Sequence, residues 1–211
     1  LVFGGYRPEE FVWRMQGDSY MSIMERGGGI INTVRATRDT SLDELKAKAE
    51  WYIDLMSQMG VTTVEGKSGY GLDKDTEIKQ LEVMKAINED PMRKVDIATT
   101  FLGAHAVPTE YKGREDEYID FLIEEMMPLI QEKGLAEHCD IFCEKGVFTV
   151  EQSRRLLQAA KDKGFSVKIH ADEIVSFGGS ELAGELQALS ADHLLHASDA
   201  GIQAMAENHV V

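Results

Sequence analysis

Gly164-Phe165-Ser166-Val167-Lys168-Ile169-His170-Ala171-Asp172-Glu173 is the stretch on which the reading of the fold turns. The apolar run 165–169 follows a glycine and is too short for a helix, so it reads as a buried strand. It delivers a histidine at its C-terminal end and an acid three residues later. In parallel α/β folds, chemistry gathers at the carboxyl ends of strands. A second run of the same kind follows in Ser190-Ala191-Asp192-His193-Leu194-Leu195-His196. Either histidine alone is well explained as a half-buried packing residue. Two in one topological position, the first with a carboxylate beside it, suit a metal-assisted hydrolase.

The surroundings repeat the same unit. Upstream, Thr149 and Gln152 have capping-box spacing for a helix that runs to Lys163 and stops at Gly164. Before it come a strand at 139–143 ending in Glu144-Lys145-Gly146, a helix at 116–133 with Gly134 behind it, and a strand at 95–102. That last strand runs into Gly103-Ala104-His105-Ala106-Val107-Pro108. An amphipathic helix at 75–88 is stopped by Pro91, and a β-rich run at 61–65 leads into Gly66-Lys67-Ser68-Gly69-Tyr70-Gly71. Ser41 with Glu44 caps a helix at 42–59, ended by Gly60, whose stripe is Leu45, Ala49, Tyr52, Ile53 and Met56. Residues 30–38 fit a strand or a helical face equally. Gly27-Gly28-Gly29 marks a loop and lacks the spacing of a phosphate cradle. Ser19 can cap a short helix holding Tyr20, Ile23 and Met24, and Pro8 suits the first turn of a helix through 10–16. Downstream, Ser180 is the expected cap of a helix at 181–189, 191–195 is a strand carrying His193, Ser198 caps a last helix to Glu207, and Val210 begins another strand.

Strands alternating with helices at short spacing indicate parallel βα units. Five are present, with the start of a further strand. A closed eight-stranded barrel normally needs ~250 residues. A doubly wound open sheet is the alternative, but no strand is followed by a glycine-rich dinucleotide fingerprint. Polar residues recur at each strand end, as a barrel with one central site requires.

The composition, 43% hydrophobic and 28% charged, is that of a soluble globular protein. A net charge of −15 leaves no basic stripe for phosphates and argues against a nucleic-acid partner. Its simplest role is solubility. No apolar run approaches the ~20 residues of a membrane span, and no signal peptide is visible. Cys139 and Cys143 lie in one strand-like run, too local to pair, and fit a reduced, cytoplasmic setting. With no second Cys/His pair, a metal role for them is not expected.

Taken together, the strand-end strings resemble the imidazolonepropionase family of the amidohydrolase superfamily, which acts in histidine breakdown. The residues that carry the resemblance are Leu1-Val2-Phe3-Gly4-Gly5 with Arg7, Glu10 and Phe11; Gly27-Gly28-Gly29-Ile30 leading to Thr33-Val34 and Ala36-Thr37-Arg38; and Lys67-Ser68-Gly69-Tyr70-Gly71-Leu72. They continue with Thr99-Thr100-Phe101-Leu102-Gly103-Ala104-His105-Ala106-Val107-Pro108, Asp140-Ile141-Phe142-Cys143-Glu144, His170-Ala171-Asp172-Glu173 and Ser190-Ala191-Asp192-His193-Leu194. They span nearly the whole chain, in order. The resemblance implies a TIM-like (β/α)8 barrel, of which this chain covers the end of strand one to the start of strand seven. It also implies that 30–38 is not a barrel strand.

The implied reaction is hydrolytic opening of a cyclic amide, 4-imidazolone-5-propanoate plus water giving N-formimidoyl-L-glutamate. One Zn or Fe ion is implied, held by a His-x-His after the first strand, a His after the fifth and an Asp after the eighth. His170 matches the fifth-strand ligand. Glu173 matches the acid that contacts substrate and moves protons, and His193 the sixth-strand active-site histidine. Arg7, Tyr70 and His105 match substrate-binding positions. In the family the His-x-His lies just before the Leu-Val-Phe-Gly-Gly string and the Asp lies beyond the counterpart of Val211. Three of four ligands, and the small β domain formed from both chain ends, are therefore expected to be missing from 1–211. These residues alone are expected to bind metal weakly and to be inactive. The resemblance also implies a homodimer with a small-molecule substrate. Two other readings stand beside it: a sibling cyclic-amide hydrolase or deaminase, and a non-catalytic remnant if the chain is natively this short.

Chemically the assignments are coherent. A neutral cyclic amide is a poor electrophile and water a poor nucleophile, and a divalent ion helps both. Glu173 would take the proton of the attacking water and give it to the leaving ring nitrogen. His193 would orient water or stabilise the oxyanion. Arg7 offers a fork for a carboxylate, unless it is a surface partner of Glu9 or Glu10. Tyr70 presents a ring and hydroxyl to a planar heterocycle, unless it is a core aromatic, and His105 can hydrogen-bond the ring.

Overall fold

The computed structural model describes residues 1–18, 22, 26 and 28–211. The chain forms two compact units, Leu1–Ile97 and Ala98–Val211. The expected short helix on Ser19, Tyr20, Ile23 and Met24, and the first glycine of 27–29, lie outside the described residues.

The first unit holds α1 (Pro8–Met15), α2 (Ile30–Asp39), α3 (Leu42–Gln58), β1 (Thr63–Lys67), α4 (Lys74–Asn88) and the first residues of β2 (Asp96–Ala104). Pro8 starts α1, where its missing N–H costs nothing. The ambiguous segment is helical, because Thr33, Val34 and Thr37 form a buried face. Thr37 donates its hydroxyl to the Thr33 carbonyl at 2.7 Å and accepts the Gly4 N–H at 2.9 Å. A Cβ on Gly4 would overlap the Ala36 carbonyl, so only glycine lets the first strand-like string lie against α2. The Ser41–Glu44 capping box is formed in full. The buried stripe of α3 is Leu45, Ala49 and Ile53. β1 sits two residues later than the β-rich run predicted. The amide of Asn88 brackets Ile97, donating to its carbonyl at 2.7 Å and accepting its N–H at 2.9 Å. That one side chain fixes the entry to β2.

In the second unit β2 runs on, followed by α5 (Glu115–Phe121), a π-helical turn (Leu122–Met126), α6 (Met127–Lys133), β3 (His138–Cys143), α7 (Val150–Asp162), β4 (Ser166–Ala171), α8 (Gly179–Glu185), β5 (Ser190–His193) and α9 (Asp199–Glu207). β2, β3, β4 and β5 pair in parallel and in chain order, and β1 is the neighbour of β2 in the first unit. A doubly wound sheet reverses its strand order midway, and these strands do not. Phe101, Ile141, Phe148, Leu157 and Ile169 are fully buried between sheet and helices.

Two expectations are corrected here. The helix foreseen at 116–133 is interrupted, because Pro128 has no N–H and its ring would meet the carbonyl four residues back; the wider turn just before it absorbs the conflict. The helix foreseen at 181–189 starts at Gly179 and ends at Glu185, and Ser180 is not its cap. Ser180 lies inside it and donates its hydroxyl to Glu181 at 3.1 Å. At Val210-Val211 the chain pairs along β5: Val211 donates its N–H to the Leu189 carbonyl at 3.3 Å, and its carbonyl accepts the Ala191 N–H at 2.9 Å.

Helices α8 and α9 approach closely. A Cβ on Gly184 would stand 2.6 Å from the Ala204 carbonyl carbon, and one on Gly201 would meet the Ser180 hydroxyl. Small residues on both faces allow that approach.

Candidate active site

Side chains alternate along a strand, so Lys168 and His170 share one face of β4. The register sets Phe142 of β3 and Asp192 of β5 beside His170. Asp140, two residues before Phe142, therefore projects on the same face. His170 Nδ1 lies 3.1 Å from Asp140 Oδ1, 3.0 Å from its Oδ2 and 3.8 Å from Asp192 Oδ2. Asp140 is fully buried and the His170 side chain is 12% exposed. Phe142 packs edge-on against the imidazole at 6.0 Å. The His105 ring, just past β2, is 6.0 Å from that of His170, and the His193 ring, ending β5, is 5.2 Å away. Glu173 Oε2 is 3.6 Å from His193 Nε2, the glutamate half-buried and the histidine exposed. Four predicted residues, His105, His170, Glu173 and His193, thus meet at the carboxyl ends of β2, β4 and β5.

The loops that hold them are set by buried acids. Asp172 follows β4 in the left-handed region, φ 50°. Its fully buried carboxylate accepts N–H groups from Phe177 at 2.7 Å, Gly178 at 3.2 Å, Gly179 at 3.4 Å and Ser180 at 3.0 Å. It is therefore the cap of α8, supplied from outside the helix. Burial alone would push its carboxyl up, but the Ser180 hydroxyl and the N–H groups of Phe177, Ser180 and Gly179 together hold it below the usual aspartate value. Its own carbonyl accepts the His196 N–H at 2.9 Å, which ties the loop after β4 to that after β5. Glu144, buried at the end of β3, accepts the N–H groups of Lys145 and Ile174, each at 2.8 Å. His193 and Leu194 both have positive φ, 73° and 58°. Histidine visits that region more readily than most residues, whereas a leucine there is strained. Backbone strain of this kind concentrates at functional sites.

The donor set fits a divalent ion. Ligand atoms of Asp140, His170 and Asp192 lie within 4.8 Å of one another. Nitrogen and oxygen donors suit Zn and Fe alike. Asp140 and Asp192 are functional candidates that sequence reasoning missed. Each is an acid inside or beside an apolar strand run, two residues from the next residue on its face, a signal that acquires meaning only with the register. Neither cysteine belongs to this donor set: both are free and buried, and burial pushes the Cys143 thiol up to about 11 and Cys139 higher still, away from the thiolate form.

Arg7 and Tyr70 belong to the first unit and line one small cavity there, of about 80 Å³, with Phe3 and Thr33. Arg7 also borders a larger cavity of about 440 Å³ with Trp13 and Arg26. Its Nη1 is 3.4 Å from Glu10 Oε2, the surface-partner contact anticipated for it. Glu10 is buried and accepts the Gly29 N–H at 3.0 Å. The Tyr70 loop wraps a buried acid: Glu77 accepts the N–H groups of Gly69 at 3.0 Å, Gly71 at 2.8 Å and Leu72 at 3.0 Å. Burial pushes the Glu77 carboxyl up in spite of those bonds.

No protein-family model matches the chain. Individual proteins do. It is 77% identical over all 211 residues to an imidazolonepropionase of Phocaeicola vulgatus, 68% to one of Bacteroides thetaiotaomicron and 59% to one of Clostridium tetani. It spans about half the length of these curated relatives, 50–51%. Among solved structures it resembles Arabidopsis ADAL complexed with IMP, with a TM-score of 0.57 and 12% identity over 98% of this chain and 66% of that one. At that identity the likeness concerns the fold alone. Along its entire length the chain is a homologue of imidazolonepropionase.

Proposed function

We propose that the chain forms the central part of a (β/α)8 barrel of a metal-dependent hydrolase that opens 4-imidazolone-5-propanoate with water to N-formimidoyl-L-glutamate. The observation that carries this is the meeting of His170, Glu173 and His193 at strand ends in a chain whose relatives bear that enzyme's name. His170 would hold one Zn or Fe ion, with Asp140 and Asp192 at hand. When bound, such an ion acidifies water and polarises a carbonyl.

Glu173 takes a proton from the attacking water and returns it to the ring nitrogen as the C–N bond breaks. Its Oε2 lies 3.6 Å from His193 Nε2, which puts both side chains on one side of the site. His193 donates to the oxygen that gains charge. His105 orients the ring. The protein acts in the cytoplasm as a homodimer. Among the described residues no helix is long and apolar enough to cross a membrane.

The test is loss of imidazolone absorbance with the full gene product, stripped by chelator and reloaded with Zn or Fe. The reading requires turnover that follows metal loading and a formimidoyl-glutamate product. Metal-loaded protein that leaves the substrate intact sinks it. A second reading is hydrolysis or deamination of another ring by the same His170, Glu173 and His193, which meet at strand ends whatever the ring. Turnover of purine-like rings in preference to imidazolone would move it ahead.

A further inference from the structure

An imidazole that binds a metal must offer a bare nitrogen, and a neutral ring has only one. Which nitrogen is bare is decided by the partner of the other. This bears on His170 and rests on its proposed role as a ligand. We propose that Asp140 is the positioning residue of His170: it accepts the Nδ1 proton and leaves Nε2 as the nitrogen that binds the ion.

Several observations carry this. Both Asp140 oxygens stand at hydrogen-bond distance from Nδ1, 3.1 and 3.0 Å. Asp140 Oδ1 also accepts the Ile141 N–H at 2.7 Å, so this carboxylate is an acceptor towards its surroundings. Asp140 is fully buried in a strand, where a carboxylate is costly unless its bonds are well made. Asp192 Oδ2, at 3.8 Å, is too far to compete for the proton. Phe142, packed edge-on against the ring, limits its rotation and keeps the bond aligned. Without Asp140 the ring would divide its time between two tautomers and between ring orientations, and only one combination faces the ion correctly.

The competing arrangement has Asp140, His170 and Asp192 all ligating one ion, with Nδ1 as the nitrogen donor. The two differ in an observable. The measurement is a long-range ¹H–¹⁵N spectrum of the full gene product labelled at histidine nitrogens, first stripped and then titrated with zinc. The expected result is a protonated Nδ1 and bare Nε2 on His170 in stripped protein, with zinc shifting Nε2 alone. A bare Nδ1, a zinc-induced shift of Nδ1, or zinc binding that moves neither nitrogen each overturns the proposal. Asp140→Asn and Asp140→Ala provide the second readout, a zinc dissociation constant raised about 10–100-fold. Unchanged affinity in folded variants overturns it too. If a variant does not fold, the parent spectrum still decides. Neither readout needs substrate, so failure to open imidazolone would remove the proposed reaction while leaving this assignment to stand or fall by itself.

Discussion

Asp172 stands between His170 and Glu173 in the chain, and its carboxylate points back into the protein to hold four N–H groups. The turn this forces, with φ 50°, lets the next residue leave the strand direction and reach His193. Asp172→Asn replaces a charged acceptor with an amide that must turn a donor towards donors. The expected loss is about 1–3 kcal/mol of stability near neutral pH. Because the folded-state pKa lies below the unfolded value of about 3.9, the stabilisation is present above that pH and is lost as pH falls through the lower folded-state value. Urea midpoints of parent and variant should therefore converge below about pH 4. A gap that persists undiminished to pH 2 would contradict this account. Glu173, by contrast, is half-buried and bonded to little else. Glu173→Gln should unfold at the parent's temperature and turn over about 10²–10⁴-fold more slowly. A variant with parental kcat would remove Glu173 from the chemistry. The placement of His170, Glu173 and His193 at strand ends was legible in the sequence. Asp140 and Asp192 were not, since only pairing of β3, β4 and β5 brings them to the imidazole.

At the scale of elements, what is local in sequence is what sequence predicts. The boxes at Ser41 with Glu44 and Thr149 with Gln152, and the cap at Ser198, form as their spacing requires. Helix α8 escaped because its cap comes from a residue on the preceding strand's loop, and Ser180 offered a plausible local substitute. The break at 122–126 escaped because the apolar periodicity continues through it, while Pro128 acts on backbone bonds. The α8–α9 contact yields a further prediction. Gly184→Ala puts a methyl group 2.6 Å from the Ala204 carbonyl carbon, and neither backbone can yield cheaply. The expected cost is about 1–3 kcal/mol, against a gain in helix propensity of about 1 kcal/mol. A lower Tm by calorimetry is the expected outcome, and a raised one would show that the helices part freely.

For the molecule as a whole, the alternation of strands and helices was legible, and with it the parallel pairing of neighbours in chain order. The charge was only half understood. Solubility accounts for acids on the surface, but Glu10, Glu77, Glu144 and Asp172 are buried, and each accepts at least one backbone N–H of a loop. Those four belong to the architecture. The rest of the −15 surplus is repulsive and screened by salt. Surface ion pairs such as Lys94 with Asp54 and Arg93 with Asp96 contribute little. Raising NaCl from low to moderate concentration should therefore increase the urea midpoint. A decrease would mean that the exposed pairs outweigh the repulsion.

The left-handed backbone at His193 has a consequence for anyone who mutates it. At φ 73° the position accepts glycine and asparagine, and resists valine or isoleucine. A saturation scan there would score two properties as one, since β-branched replacements fail by distorting the end of β5 whatever their ring chemistry. His193→Asn keeps the turn and removes the imidazole, so it isolates the chemical contribution. His193→Ala changes both at once, so an inactive alanine variant would leave the ring's own share undetermined.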